Sequence, residues 1–337
     1  MTKNLDAKDW RILELLCKNA RLSHNQIATN IGLSKNAVTY RIGRLKEKGI
    51  ITGFFTIINH DLIGLRFYEI LLKTNAGKEE WQLIEFLKNH SNILVVDRLS
   101  GEWNLIIEFG CKNISSLYTF INDLKDRFSK VVQYYEVHCI LDILKVEQLP
   151  VELIKEKRKE KCHDAMHIHL QNARASNQEI NKIMNVDNID KILLFELNKD
   201  CTVPLHVLAD KLKLTSETIS ARIKRLKEKK IILKFTARIS LTNLGYDLYL
   251  MILDLQNLSK ERENSLRMHI LDNPNIRYSF FSASQPKIFI YFAAKNSDAL
   301  DSFLIQSKEL FPDIIFNQKY LMVRGSYKYE LFPAGLV

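Results

Sequence analysis

Over the first fifty positions apolar residues recur at helical spacing: Ile12, Leu13, Leu15 and Leu16, then Ile27, Ala28 and Ile31, then Val38, Ile42 and Leu45. Ser23 and Gln26 have the spacing of a capping box at the start of the second helix, and Gly32 ends that helix in a tight turn. Ser34 caps the third helix, and Gly49 stands just past its end. Three short helices, the last two joined by a few residues, predict a helix-turn-helix unit. The pattern then changes. Phe67 to Thr74 reads as strand, Lys78 to His90 as amphipathic helix, Ile93 to Leu99 and Asn104 to Gly110 as a hairpin, Ile114 to Phe128 as helix and Val131 to Ile143 as a last strand. In that strand Val131, Tyr135, Val137, Cys139, Leu141 and Ile143 alternate with Glu136, His138 and Asp142, which predicts one buried side and one wet or partner-facing side. The order βαββαβ predicts a ferredoxin-like α+β sandwich, with Tyr134 and Ile140 left to pack against a second sheet.

All of this occurs twice. Slid along itself, the chain aligns Leu5 to Lys73 with Val186 to Asp254 without a gap, with about a third of positions identical. The densest match sets Arg41 to Ile51 against Arg222 to Ile232. The expected domains are therefore a first helix-turn-helix over 1–53 and a first βαββαβ domain over 54–149. A linker follows over 150–185, then a second helix-turn-helix over 186–234 and a second βαββαβ domain over 235–337. The linker holds the charge run Lys155 to Lys161, and Val151 to Lys161 suits a solvated helix. Next to it, Cys162, His163, Asp164, His167 and His169 could hold a metal ion. With no second cluster to complete four ligands, a histidine-rich polar linker is the preferred reading.

Composition narrows the class. The 337 residues exceed one ordinary core, and 46% hydrophobic residues suffice for full cores. No apolar stretch approaches a membrane span and no signal segment opens the chain, so a soluble cytoplasmic protein is expected. Five cysteines without a C-x-x-C pair read as reduced thiols. A net charge of +10 makes polyanions the first partners to consider. On the third helix, Asn36, Thr39, Tyr40, Gly43 and Arg44 point away from Val38 and Ile42, with Lys35, Arg41 and Lys46 beside them. Such a face suits a major groove, where Asn can pair with adenine, Arg with guanine and flanking cations with phosphates. The second copy keeps Ile219, Ile223 and Leu226 but presents Ser216, Glu217, Ser220, Ala221, Lys224 and Arg225, with Arg222 alongside. If both bind duplex DNA, they read different half-sites. Pro204, Lys213 and Lys230 replace Ser23, Gly32 and Gly49.

The helix-turn-helix, the strand-like hinge Phe54 to Asn59, Leu62-Ile63-Gly64 and the βαββαβ order together resemble the Lrp/AsnC family of prokaryotic transcription regulators. So do Gly32-Leu33-Ser34, Arg41-Ile42, Arg44-Leu45 and Gly49-Ile50-Ile51. The resemblance implies face-to-face pairing of the βαββαβ domains, association of chains into a homo-oligomer and a small effector such as an amino acid. Its sensing turn corresponds to Ser100, Gly101, Glu102 and Asn104, where family members usually carry Asp at the last position. Gly101 is equally explained as hairpin chemistry. The second copy has Ser284-Gln285-Pro286-Lys287 there, so an effector site is expected in the first copy alone. With two domains in one chain, an intrachain pseudo-dimer is expected. The same architecture also resembles fused two-copy sirohaem decarboxylases. The strands Val96 to Asn104 and Tyr278 to Ala283 carry no histidine, no catalytic constellation stands out, and no enzyme activity or cofactor is expected. Sequence-tolerant chromosome coating is a third possibility.

Overall fold

The computed structural model describes residues 5–75, 77–149, 183–283 and 287–336. The first copy runs α1 Ala7–Lys18, α2 His24–Ile31, α3 Lys35–Glu47, β1 Ile51–Ile58, β2 Arg66–Thr74, α4 Lys78–Asn89, β3 Ile93–Ser100, β4 Leu105–Cys111, α5 Ile114–Phe128 and β5 Val132–Val146. The second copy repeats it as α6 Asn188–Lys199, α7 Leu205–Leu212, α8 Ser216–Glu228, β6 Ile232–Ile239, β7 Asp247–Leu255, α9 Lys260–Asp272, β8 Ile276–Ser282, β9 Lys287–Ala294, α10 Ser297–Leu310 and β10 Ile315–Tyr329. The expected α+β class with its duplicated helix-turn-helix and βαββαβ order is what the chain adopts. The linker helix over Val151 to Lys161 and the Cys162, His163, His167 and His169 cluster lie outside the described residues.

Two compact units cut across the repeat: one holds the chain up to Asn59 with Asn185–Tyr246, the other His60–Val146 with Asp247 onward. In the first, both helix-turn-helix copies share a two-stranded sheet in which β1 pairs antiparallel with β6. Phe55 faces Thr236, its own counterpart in the repeat, so the pair lies on a local pseudo-twofold axis. Bonds off the axis come in matching couples. Asn59 N donates to Ile231 O and Ser240 N to Ile50 O, both at 2.8 Å. Ala20 N donates to Phe235 O at 3.0 Å, and Cys201 N to Phe54 O at 3.3 Å. Each strand thus completes the other copy's helices, because an unpaired backbone donor buried in the joint would be costly.

In the second unit the two four-stranded sheets join edge to edge into a closed barrel, in the order β10-β3-β4-β2-β5-β8-β9-β7. Closure removes the open strand edges that each sheet alone would expose. Tyr68, Ile70 and Leu72 of β2 pack outward with Leu83 and Leu87 of α4 and Phe120 and Leu124 of α5. Leu71, Leu99, Trp103 and Ile106 point inward and meet Leu250, Ile252, Phe280, Phe289 and Leu321 of the second copy. The alternation expected for Val131 to Ile143 holds as far as Cys139 and breaks beyond it. His138, on the expected partner-facing side, is buried against Phe289 of the second copy, whereas Leu141 is 58% exposed. The strand runs on to Val146, leaves β2 for β8 and shifts register at Ile140/Asp142, so Ile140 and Ile143 face the barrel core.

Candidate nucleic-acid interface

The two third helices are built by local rules. Ser34 caps α3 by accepting from Ala37 N, and Thr215 caps α8 by accepting from Thr218 N. Val38, Ile42 and Leu45 are buried in the first head, and Ile219, Ile223 and Leu226 in the second. Gly32 and Gly49 adopt φ of +64° and +65°. Lys213 and Lys230 hold the same left-handed backbone at +54° and +55°, so losing the glycines did not change the turns. A Cβ on Gly49 would also meet Asn243 Nδ2 at 2.8 Å.

Opposite the buried stripe, Lys35, Asn36, Thr39 and Tyr40 are exposed in the first head, Tyr40 by 70%. Ser220 and Lys224 are exposed in the second, and Ser216 is half-buried. Lys46 is exposed, with its ammonium 4.9 Å from the centre of the Phe54 ring. The second head repeats this with Lys227 at 5.7 Å from Phe235.

The arginines also make contacts within each head. Arg41 Nη1 donates to Asp6 Oδ2 and Asp9 Oδ1 at 2.7 Å, and Arg44 Nη2 donates to Asp9 Oδ2 at 2.5 Å. Arg222 and Arg225 make the same bonds to Asp187 and Asp190 at the same distances. The Asp9 and Asp190 side chains are 0% and 3% exposed, so each cation neutralises a carboxylate removed from water. Hydrogen bonds donated to Asp6 and then Asp9 raise the Arg41 guanidinium above its ordinary value, and those to Asp187 and then Asp190 do so for Arg222. Arg44 and Arg225, 31% and 46% exposed, keep an outward side as the helical spacing expects, and all four arginines also tie the third helix to the first. A signal was available in the chain. Asp6, Asp9, Arg41 and Arg44 are identical in both copies, while Lys35, Asn36, Thr39, Tyr40 and Gly43 all differ. Another contact was missed: His24 Nδ1 lies 2.7 Å from Thr39 Oγ1.

The turn singled out for an effector lies where β3 meets β10. Ser100 and Glu102 are exposed, and Glu102 pairs with Lys319 at 3.2 Å. Gly101 has φ of +141°, which favours glycine, and a Cβ there would meet Leu321 Cδ2 at 2.6 Å, so the leucine would have to move. Asn104 Oδ1 accepts from Thr74 N at 2.9 Å, which commits this side chain to the sheet. Ser284, Gln285 and Pro286 lie outside the described residues, and Lys287 pairs with Asp254.

Inside the barrel, Glu69, Asp97 and Glu108 share the inward face of the first sheet, and Glu69 and Glu108 sit directly opposite each other across β2 and β4. Burial pushes Asp97 up to about 7, against a hydrogen bond from Ser326. Burial and then the neighbouring Asp97 bring Glu108 to about 7 as well. Burial, then Glu108 and Asp97, hold Glu69 well above the usual carboxylate range, and Tyr291 Oη donates to it at 3.4 Å.

Residues 5–52 match the family described as winged helix-turn-helix DNA-binding, and residues 186–227 match the AsnC-type helix-turn-helix domain. The HTH-type transcriptional regulator Ptr1 of Methanocaldococcus jannaschii is 36% identical over 118 residues, which cover 35% of this chain and 79% of that protein. The HTH-type transcriptional regulator FL11 of Pyrococcus furiosus is 27% identical over 150 residues, 44% of this chain and 95% of that protein. The siroheme decarboxylase NirDL has a similar structure over 97% of this chain and 94% of its own, with a TM-score of 0.63 and 12% identity. At that identity the likeness is one of fold alone. No helix among the described residues is long and apolar enough to cross a membrane.

Proposed function

The chain belongs to the Lrp/AsnC family of helix-turn-helix transcription regulators, and from this we propose that it reads duplex DNA sequence-specifically as an intrachain pseudo-dimer with two different heads. The observation that carries the reading is the β1–β6 sheet, which binds the two heads into one unit through matched hydrogen bonds. Lys35, Asn36, Thr39 and Tyr40 supply the first head's reading face, and Ser216, Ser220 and Lys224 the second's. Lys46 and Lys227, each over an aromatic ring, are placed to meet phosphate. Arg41, Arg44, Arg222 and Arg225 position α3 and α8 through the aspartates of α1 and α6.

A small effector fits the first copy, where Ser100 and Glu102 leave polar groups open to solvent beside Lys319. Calorimetry against a panel of amino acids should find one site per chain; two equivalent sites would contradict the asymmetry. Exposed Leu141, Phe316 and Tyr320 on the sheet unit support association of further chains. The decarboxylase reading draws on a fold likeness at 12% identity, whereas two family matches and the regulator relatives support DNA binding. The reading is tested by comparing Asn36→Ala and Tyr40→Ala with Ser220→Ala and Lys224→Ala on one operator. Each pair should lose about 1 to 3 kcal/mol per base contact on its own half-site. Equal weakening of the same half-site by both pairs would refute two independent heads.

A further inference from the structure

We propose that His24 is a positioning residue for DNA readout: it holds the Thr39 hydroxyl so that Thr39 meets a base as a hydrogen-bond acceptor only. The first head then favours adenine or cytosine, the bases with an exocyclic amine in the major groove, at that one place. This inference rests on the first head reading DNA and adds the chemistry of one of its contacts.

Thr39 Oγ1 lies 3.0 Å from the carbonyl of Lys35 and 2.7 Å from Nδ1 of His24. A carbonyl only accepts, and a hydroxyl has one hydrogen and two lone pairs. With that hydrogen given to Lys35 O, the shorter contact requires His24 Nδ1 to carry a proton and donate it. One lone pair and the methyl group of an exposed side chain are left for DNA. Burial first, then the charges of Lys35 and Lys46, lower the imidazole's affinity for a proton, so the donor near neutrality is the neutral Nδ1–H tautomer. Free histidine prefers the other tautomer, which makes this one a mark of the contact.

Protonation does not reverse the bond, because imidazolium also donates through Nδ1. The base preference is therefore insensitive to pH across the titration of His24, whereas an accepting Nδ1 would reverse its role there. The second head lacks the device. Leu205 stands in the place of His24 and Ser220 in that of Thr39, so the Ser220 hydroxyl can turn to donate or accept.

Nitrogen NMR on the full chain, labelled at histidine, tests the bond without DNA. The expected result is Nδ1–H for His24, shifting toward Nε2–H in Thr39→Val. An Nε2–H ring in the unmodified chain overturns the proposal. Selection from random duplexes tests the readout. The unmodified chain should favour adenine or cytosine at one position by on the order of tenfold, equally at pH 6 and pH 8. His24→Leu should flatten that position alone, and His24→Gln, whose amide can donate, should retain it. An unchanged preference in His24→Leu, or one that reverses with pH, overturns the role. If NMR shows Nδ1–H but no duplex is enriched, the regulator reading fails and the readout role falls with it, while the bond stands.

Discussion

Arg44 and Asp9 decide how substitutions on the third helix should be interpreted. Asp9 has no exposed side-chain surface, and removing Arg44 would leave its Oδ2 with only the longer 3.3 Å bond from Asp6 N. Because Arg44 is itself 31% exposed, the cost falls between those of surface and fully buried pairs, at about 2 kcal/mol. Arg44→Ala should thus lower the denaturation midpoint and weaken binding to every duplex, and relaxed preference at a single base would show that Arg44 also touches DNA. The left-handed lysines make the opposite prediction. A side chain at φ near +55° costs about 1 to 2 kcal/mol, partly offset by the freedom glycine adds to the unfolded chain. Lys213→Gly and Lys230→Gly should each stabilise the chain by up to about 1 kcal/mol in urea, and a loss would mean that contacts of the lysine side chains outweigh the strain.

At the scale of elements, local periodicity identified what it governs and missed what is set at long range. Helices α3 and α4 and strands β2 to β4 lie within a few residues of the spans expected from spacing, caps and turns, because each signal is contained in its own segment. Barrel closure was not legible. The second half of β5 takes its partner, β8, from more than a hundred residues away, and the register shift there put Leu141 outside, whereas His138, in register opposite Glu69, faces inward by plain alternation. The aspartates holding Arg41 and Arg44 are likewise distant, yet comparing the two copies separates scaffold from outward face, since the scaffold agrees and the face does not. The barrel has its own pH dependence. Carboxylates raised on folding contribute stability that is complete below their unfolded values, 3.8 for Asp97 and 4.5 for Glu108, and is lost as pH rises through about 7. For Asp97 the loss is about 4 kcal/mol between the two limits. Urea midpoints should fall from pH 5 to pH 8 in the unmodified chain and fall less in Asp97→Asn; parallel curves would place Asp97 in contact with water.

The whole molecule is two divergent copies of one design. In the head unit, matched bonds on either side of Phe55 and Thr236 join the copies, and in the sheet unit β5–β8 and β10–β3 do so. In the proposed pseudo-dimer one chain brings together what symmetric dimers assemble from two, and its copies differ in Asn36 against Glu217 and Tyr40 against Ala221. If both heads read DNA as proposed, their difference requires an operator whose halves differ. The most direct test is selection of bound sites from random duplexes by the purified full chain, followed by footprinting on the winner. The account predicts two unlike half-sites spaced by one helical turn, ~34 to 36 Å, or a multiple of it. A perfect inverted repeat, or no enrichment at moderate salt, would contradict it.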